Sequence, residues 1–442
     1  MATWYTHYRI ANALYDLNPV LDKTAFIFGN LAPDSGLFIS SLNYDPCADI
    51  THYTKGSDKA LIKPLRLLDE YLPRVKNLAE YSFILGYFTH LLTDKLYSNF
   101  VFKDIIIKNK IDDLKGEKMA HIRNEWQLAD ALLYKGQESD INLELSKIDL
   151  RVSIVEHFSD KHYLDMLNRI TSEMNSINKI NFIYTNPLDN TNFINNYLNL
   201  INEHLRAWLK PNKAYEYLFI DLDNTIFDFS IAEKRALANT YLKYDIEYNQ
   251  ETYDLYDGIN HDLWHQLEDG LVDIDTLFYK RFELLLISLK RDHSIAKDMA
   301  NEYSYQLSLC RDYYEGVEET LISLSKEYKI DIITNGIKEI QIPRINNSVL
   351  KDIIHNVYIS GDIGYSKPHI EYFKTALNRS NILDKSKVLV VGDGLSADIK
   401  GANNAKLDCV WISNLLSTTD LKHELIIDNL TSLKTWLHRK NF

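Results

Sequence analysis

Apolar residues recur at three- and four-residue steps through much of residues 1 to about 208, with few β-branched runs. From Tyr81 to Phe102 the positions Phe83, Ile84, Tyr87, Phe88, Leu91 and Leu92 share one helical face. Met119 to Leu133 repeats the spacing with Ile122, Trp126, Leu128 and Leu132 or Leu133. Phe193 to Leu209 is a third such helix, and it must end before Pro211, which cannot continue it. Leu209 to Lys213 therefore reads as a linker between an all-helical domain at 1–208 and a second domain at 214–442. Beyond the linker the texture changes. Short apolar runs at Tyr217–Ile220, Ile330–Ile333, Val357–Ser360, Val388–Val391 and Cys409–Ile412 alternate with helical stretches, which predicts a buried parallel sheet of α/β type. The block from about 231 to 312 breaks this alternation with helices alone. It is too long for a loop, so it is expected to be a helical cap.

Composition narrows the class without naming it. With 442 residues, 45% hydrophobic and 25% charged, the chain fits two or three globular domains. No apolar run reaches the ~18 residues of a membrane span. The first residues, Met1 to His7, lack the basic and apolar regions of an export signal, so a cytoplasmic location is expected. Cys47, Cys310 and Cys409 are too scattered for a disulfide framework or a thiolate metal site. A net charge of −13 argues against a large nucleic-acid surface, although a local basic patch is compatible with it.

Chemistry gathers at the strand ends. The first strand runs into Asp221-Leu222-Asp223-Asn224-Thr225, on the side of a parallel sheet where ligands bind. Two acids one residue apart suit a divalent cation, and they equally suit an Asx-rich turn. The second strand ends in Thr334-Asn335-Gly336, Lys367 follows in Ser366-Lys367-Pro368, and the strand at 388–391 leads to Asp393 with Asp398 just beyond. In this order the motifs resemble the haloacid dehalogenase (HAD) superfamily of phosphohydrolases. The resemblance implies a Rossmann-like α/β fold and an aspartyl-phosphate mechanism. In it Asp221 is the nucleophile and Asp223 the acid and base. Thr334, Asn335 and Lys367 bind the phosphate, and Asp221, Asp223, Asp393 and Asp398 serve Mg²⁺. An acid at 223 favours phosphate esters over haloacids. The cap sequence, with Tyr256, Asn260, Trp264, Glu268, Gly270 and Arg281-Phe282-Glu283, is similar to the pyrimidine 5′-nucleotidase branch, so nucleotides are the expected substrates. Aromatics in such a cap suit base stacking and, as readily, core packing.

The helical half carries histidines. With 62 acids in 442 residues, the seven histidines before residue 210 should give about one His–acid pair at i,i+4 by chance; His90/Asp94 and His121/Glu125 make two. Such pairs share a helix face, as bundle metal sites require. The order His7, Asp34, His52, His90, Asp94, His121, Glu125 resembles the zinc-dependent phospholipase C family, which is all-helical. The resemblance implies Zn²⁺ held by His52, His90 and Asp94, with Asp34 as ligand or general base. His121 and Glu125 would hold a second ion, and His7 would serve a third or shared one. Two readings of the whole follow. One is a Mg²⁺-dependent, nucleotidase-like phosphatase fused to a zinc-dependent phosphodiesterase. The other is a phosphatase with a non-catalytic helical binding or oligomerisation module.

Overall fold

The fold is taken from a computed structural model that describes residues 2–40, 43–55, 59–101, 117–134, 137–175, 185, 189–268 and 271–442. The chain forms two compact units: Met1–Asn212 with Asn414–Thr418 and Thr431–Phe442, and Lys213–Ser413 with Thr419–Leu430.

In the first unit a long helix, Leu78–Phe100, forms the core, and from Tyr81 to Asp94 every side chain is buried. Phe102, in the expected helical run, lies outside the described residues. Asn77 caps the helix by accepting from the Glu80 backbone N–H at 2.9 Å. Its partner is Lys23–Leu31, and two glycines let the backbones touch. A Cβ on Gly86 would stand 2.2 Å from the Phe26 carbonyl oxygen, and one on Gly29 would stand 2.0 Å from that of Phe83. Only glycine fits at such a crossing. The first helix, Trp4–Leu17, is anchored by buried Asp130, which accepts from Thr6 Oγ1 at 2.6 Å, Arg9 Nη1 at 3.1 Å and Asn190 Nδ2 at 2.8 Å. A short antiparallel pair, β1 (Leu37–Ser40) and β2 (Asn43–Asp45), adds strands to the otherwise helical unit. The helix Thr431–Leu437 closes it: Ser432 Oγ donates to Asp69 at 2.8 Å, and Trp436 Nε1 donates to the Ala207 carbonyl at 2.9 Å.

The second unit is a parallel sheet of six strands in the order β5-β4-β3-β6-β7-β8. They are β3 (Tyr217–Ile220), β4 (Lys329–Thr334), β5 (Ile354–Ile359), β6 (Val388–Gly392), β7 (Asp408–Ile412) and β8 (Leu425–Ile427). The first five fall where the apolar runs predict, with ends shifted by up to three residues. At three residues, β8 is too short to stand out as a run. The chain leaves β3 toward β4 on one side and returns to β6 on the other, so the carboxyl end of β3 is the switch point where a crevice opens.

The cap is helical as expected: Phe229–Lys243, Gln250–Glu268, Ile274–Ser288 and Ala296–Ser308. Tyr256, Phe282 and Tyr303 pack in its apolar core. For the two named aromatics Tyr256 and Phe282, core packing is what the structure shows, and Trp264 is half-buried. Asn260 and Arg281 are buried beside them, with Arg281 Nη1 donating to Asn260 Oδ1 at 3.3 Å. Gly270 and the Glu268 side chain lie outside the described residues.

Candidate functional sites

At the switch point, β3 delivers Asp221 and then turns sharply, with Asn224 in the left-handed region at φ 58°. Three strand ends converge there. Lys367 Nζ, buried, donates to Asp221 Oδ1 at 2.5 Å, Asp398 Oδ1 at 2.6 Å and the Ile333 carbonyl at 3.1 Å. Asn335 fixes that lysine: its Oδ1 accepts from the Lys367 N–H at 2.8 Å, and its Nδ2 donates to the Lys367 carbonyl at 2.9 Å. Thr334 is buried at the end of β4, its Oγ1 accepting from the Gly336 N–H at 3.0 Å. Asp398 Oδ2 accepts from the Gly394 N–H at 3.0 Å, and Asp393 Oδ1 accepts from Thr225 Oγ1 at 3.2 Å.

Oxygens of Asp221, Asp393 and Asp398 lie within 4.8 Å of one another. Burial pushes the Asp221 carboxyl well above its usual range; Lys367 opposes this, while Asp398 and Asp393 reinforce it. Burial and then Asp398 push Asp393 up to about 6. Burial alone would lower the Lys367 pKa, but Asp221 and Asp398 outweigh it and keep the ammonium charged. One ammonium against three crowded carboxylates leaves room for a further positive charge, and an all-oxygen donor set suits Mg²⁺. Asp223 sits apart from this group, paired with Arg344 at 2.5 Å and accepting from Gln341 at 2.6 Å. The sequence reading missed both partners; their only signal was a Gln-x-x-Arg spacing on the helix after Gly336.

The second constellation forms where the two glycine-packed helices cross. The His90 Nδ1–H donates to the Asn30 carbonyl at 2.7 Å, which leaves the Nε2 lone pair pointing at the cluster. His52 Nε2 lies 3.2 Å from His90 Nε2, 3.6 Å from Asp94 Oδ2 and 3.5 Å from Asp34 Oδ1. His7 stacks on His90 at 3.6 Å and approaches Asp94 Oδ1 at 3.4 Å. Two donor triplets result, His7–Asp34–His90 and His52–His90–Asp94. Five of the expected zinc residues thus converge. Among the described residues, both ring nitrogens of His7 are buried without a hydrogen bond, which fits a cation beside them.

Electrostatics agree with a ligand role. Burial, and next His7, pushes the His90 imidazole well below its usual value, and burial with Lys59 lowers His52. Burial alone would raise Asp94, but Lys59, His7 and His90 outweigh it and hold the carboxyl well below its usual range. Asp34 is held low against burial by His90 and His52. Neutral imidazoles beside ionised carboxylates are the protonation states that bind zinc. Lys59, whose Nζ stands 3.1 Å from Asp94 Oδ2, was not anticipated. His121 and Glu125 pair with each other at 3.2 Å, and Glu125 accepts from the Thr185 N–H at 2.8 Å; they belong to neither triplet.

Both resemblances hold when the chain is compared with known proteins. Residues 217–412 match the family described as Haloacid dehalogenase-like hydrolase, and residues 6–210 match Zinc dependent phospholipase C. The chain is 30% identical over 204 residues to the Putative HAD-hydrolase YfnB of Bacillus subtilis, covering 46% of this chain and 85% of that protein. It is 32% identical over 200 residues to the Pyrimidine 5′-nucleotidase PynA of Streptococcus pneumoniae, covering 45% of this chain and 83% of the relative. A magnesium-bound crystal structure of YfnB from Bacillus subtilis shares 28% identity at a TM-score of 0.48, covering 51% of this chain and 100% of its own. The chain belongs to the haloacid dehalogenase-like hydrolases, and it is an enzyme of that class with a helical half joined to it. Among the described residues no helix is long and apolar enough to cross a membrane.

Proposed function

We propose that the second unit hydrolyses phosphomonoesters, with nucleoside monophosphates the leading substrates, through an aspartyl-phosphate on Asp221. The observation that carries this reading is Lys367, bonded at once to Asp221 and Asp398 beside Asp393. Kinship with a pyrimidine 5′-nucleotidase supports the substrate class. Asp221 attacks phosphorus, the ester P–O bond breaks, and the leaving oxygen takes a proton from Asp223. Water then attacks the same phosphorus, Asp223 accepts its proton, and the Asp221 carboxylate is released with phosphate. Thr334 and Lys367 hold the phosphoryl oxygens throughout and Lys367 neutralises their charge, while the Asn335 side chain, expected to bind phosphate, instead fixes the lysine. The carboxylates of Asp221 and Asp393 and the Asp223 carbonyl, with Asp398 behind them, would hold Mg²⁺, which would supply further neutralising charge. A panel of phosphate monoesters assayed on the full chain with Mg²⁺ tests the reading: nucleotides should be preferred, and Asp221→Asn should be inert.

We further propose that the helical unit holds zinc through His7, Asp34, His52, His90 and Asp94, with Asp34 as general base, and cleaves phosphodiesters. The buried donors without hydrogen bonds favour this over a purely structural module. Zinc supplies charge that polarises a phosphodiester when bound. A diester cut there yields a monoester, the substrate class of the second unit. With Asp221→Asn that monoester should accumulate, and with His90→Ala the diester should stay intact.

A further inference from the structure

Both carboxylate oxygens of Asp223 are engaged by one helix, Lys338–Asn346. Oδ1 accepts from Arg344 Nη1 at 2.5 Å, Oδ2 accepts from Gln341 Nε2 at 2.6 Å, and Arg344 Nη1 also donates to Gln341 Oε1 at 2.9 Å. Three residues apart, the two side chains share a helix face. Both are buried, Gln341 at 2% and Arg344 at 0% exposure. Arg344 is itself fixed: its Nε donates to the Cys310 carbonyl at 3.0 Å, and its guanidinium lies 4.8 Å from the centre of the Phe227 ring. Gly336 makes room for the arrangement, since a Cβ there would stand 2.0 Å from Gln341 Nε2. The glycine after Thr334-Asn335 thus serves a side chain five residues on.

Burying a guanidinium costs several kcal/mol unless its partners repay it. A guanidinium can be fixed on the Cys310 carbonyl through Nε while Nη1 reaches both Asp223 Oδ1 and Gln341 Oε1. Each carboxylate oxygen has two acceptor sites, so one bond to each still leaves a site for the proton. We propose that Gln341 and Arg344 are positioning residues of the phosphatase: they aim the Asp223 carboxyl group at the leaving oxygen. The proposal rests on the reading of Asp223 as acid and base. In the step it serves, Asp221 forms a bond to phosphorus, the ester bond breaks, and the Asp223 proton moves to the departing oxygen. The hydrolytic half returns that proton from water to Asp223.

Aiming a proton donor matters only where the leaving group needs the proton. kcat/KM reports the steps through departure of the alcohol, so two esters separate the roles. For an alkyl phosphate, Arg344→Met and Gln341→Leu should lower kcat/KM by about 10²-fold, as misplacement of a reacting group by about 1 Å does, chiefly through kcat. For p-nitrophenyl phosphate, whose leaving group departs as the anion, the same variants should lose only a few-fold. Arg344→Lys should recover part of the alkyl-phosphate rate, because it keeps the charge without the Nε–H that fixes Arg344 on the Cys310 carbonyl. Gly336→Ala should follow Gln341→Leu, since the added methyl displaces the amide. Should Arg344→Met fail to fold, Gln341→Leu decides the question. Equal losses on both esters, or none, overturn the clamp while Asp221-dependent turnover by the wild type keeps the phosphatase reading. Turnover that survives Asp221→Asn overturns both.

Discussion

The two sites each set an ammonium among buried acids, and they differ in the ligand atoms around it. At the carboxyl end of β3 the cation is built in: Lys367 contacts two acids at 2.5 and 2.6 Å, and burial raises Asp221 and Asp393. At the helix crossing Lys59 stands 3.1 Å from one acid only, the His90 and His52 imidazoles are pushed toward neutrality, and both His7 ring nitrogens stay without a hydrogen bond. On the proposed reading, an oxygen-only site with an internal ammonium would take a metal for its reaction more than for its fold. On that reading, a mixed nitrogen and oxygen site with orphaned ring nitrogens would take one for both. The donor types suit a hard cation at the first site and zinc at the second.

The largest effect should come from removing the reactive group of the first kind of site. Asp221→Asn should lower phosphomonoester turnover by about 10⁴-fold or more, with the melting profile kept, because an amide cannot serve as nucleophile. Asp223→Asn should lose about 10²–10⁴-fold through proton transfer. Steady-state kinetics beside a thermal scan measure both; an active Asp221→Asn enzyme would remove the assigned chemistry.

Next in size is metal loss at the second kind of site. His90→Ala, or chelation of the wild type, should destabilise the helical unit by about 3–4 kcal/mol, the linkage expected when free zinc exceeds its dissociation constant 100- to 1,000-fold. The phosphatase rate should hold with Mg²⁺ replenished. Differential scanning calorimetry with and without zinc would show it, and identical scans would mean the cluster binds no metal of consequence.

How far the sequence reveals each site depends on how local its determinants are. Asp221, Thr334, Lys367 and Asp393 stand at strand ends or in motifs beside them, and periodicity finds strand ends. Gln341 and Arg344 were hidden because a Gln-x-x-Arg spacing is ordinary on any helix, and only the fold brings it to Asp223. His7, Asp34, His52 and His90 were legible as an order of ligand types. What brings them together was not: Gly29 and Gly86 permit the crossing, and Asp130 ties down the helix that carries His7. Lys59 gave no signal at all. The helix Thr431–Leu437 packs within the first unit although it follows the last strand of the second, a return that periodicity along the chain does not encode.

A smaller effect probes that crossing. Gly86→Ala places a methyl 2.2 Å from the Phe26 carbonyl oxygen, and the helices must part. A cost of about 1–3 kcal/mol is expected, with weaker zinc binding, because Asn30 and His90 ride on the two helices. A titration of zinc into metal-free variant measures it, and wild-type affinity would show that the crossing does not set the site. Smallest of all should be His121→Ala. Its side chain is 41% exposed and its pair lies outside both donor triplets, so zinc retained through His90 should be unchanged. A halved zinc content in that variant would instead restore His121 and Glu125 as holders of a second ion.

The most direct test of two independent metal chemistries on one chain is elemental analysis of three full-length proteins, each dialysed against metal-free buffer after zinc loading. The account predicts zinc retained by the wild type and by Asp221→Asn and lost from His90→Ala. Zinc that stays in His90→Ala, or that is absent from the wild type, would contradict it.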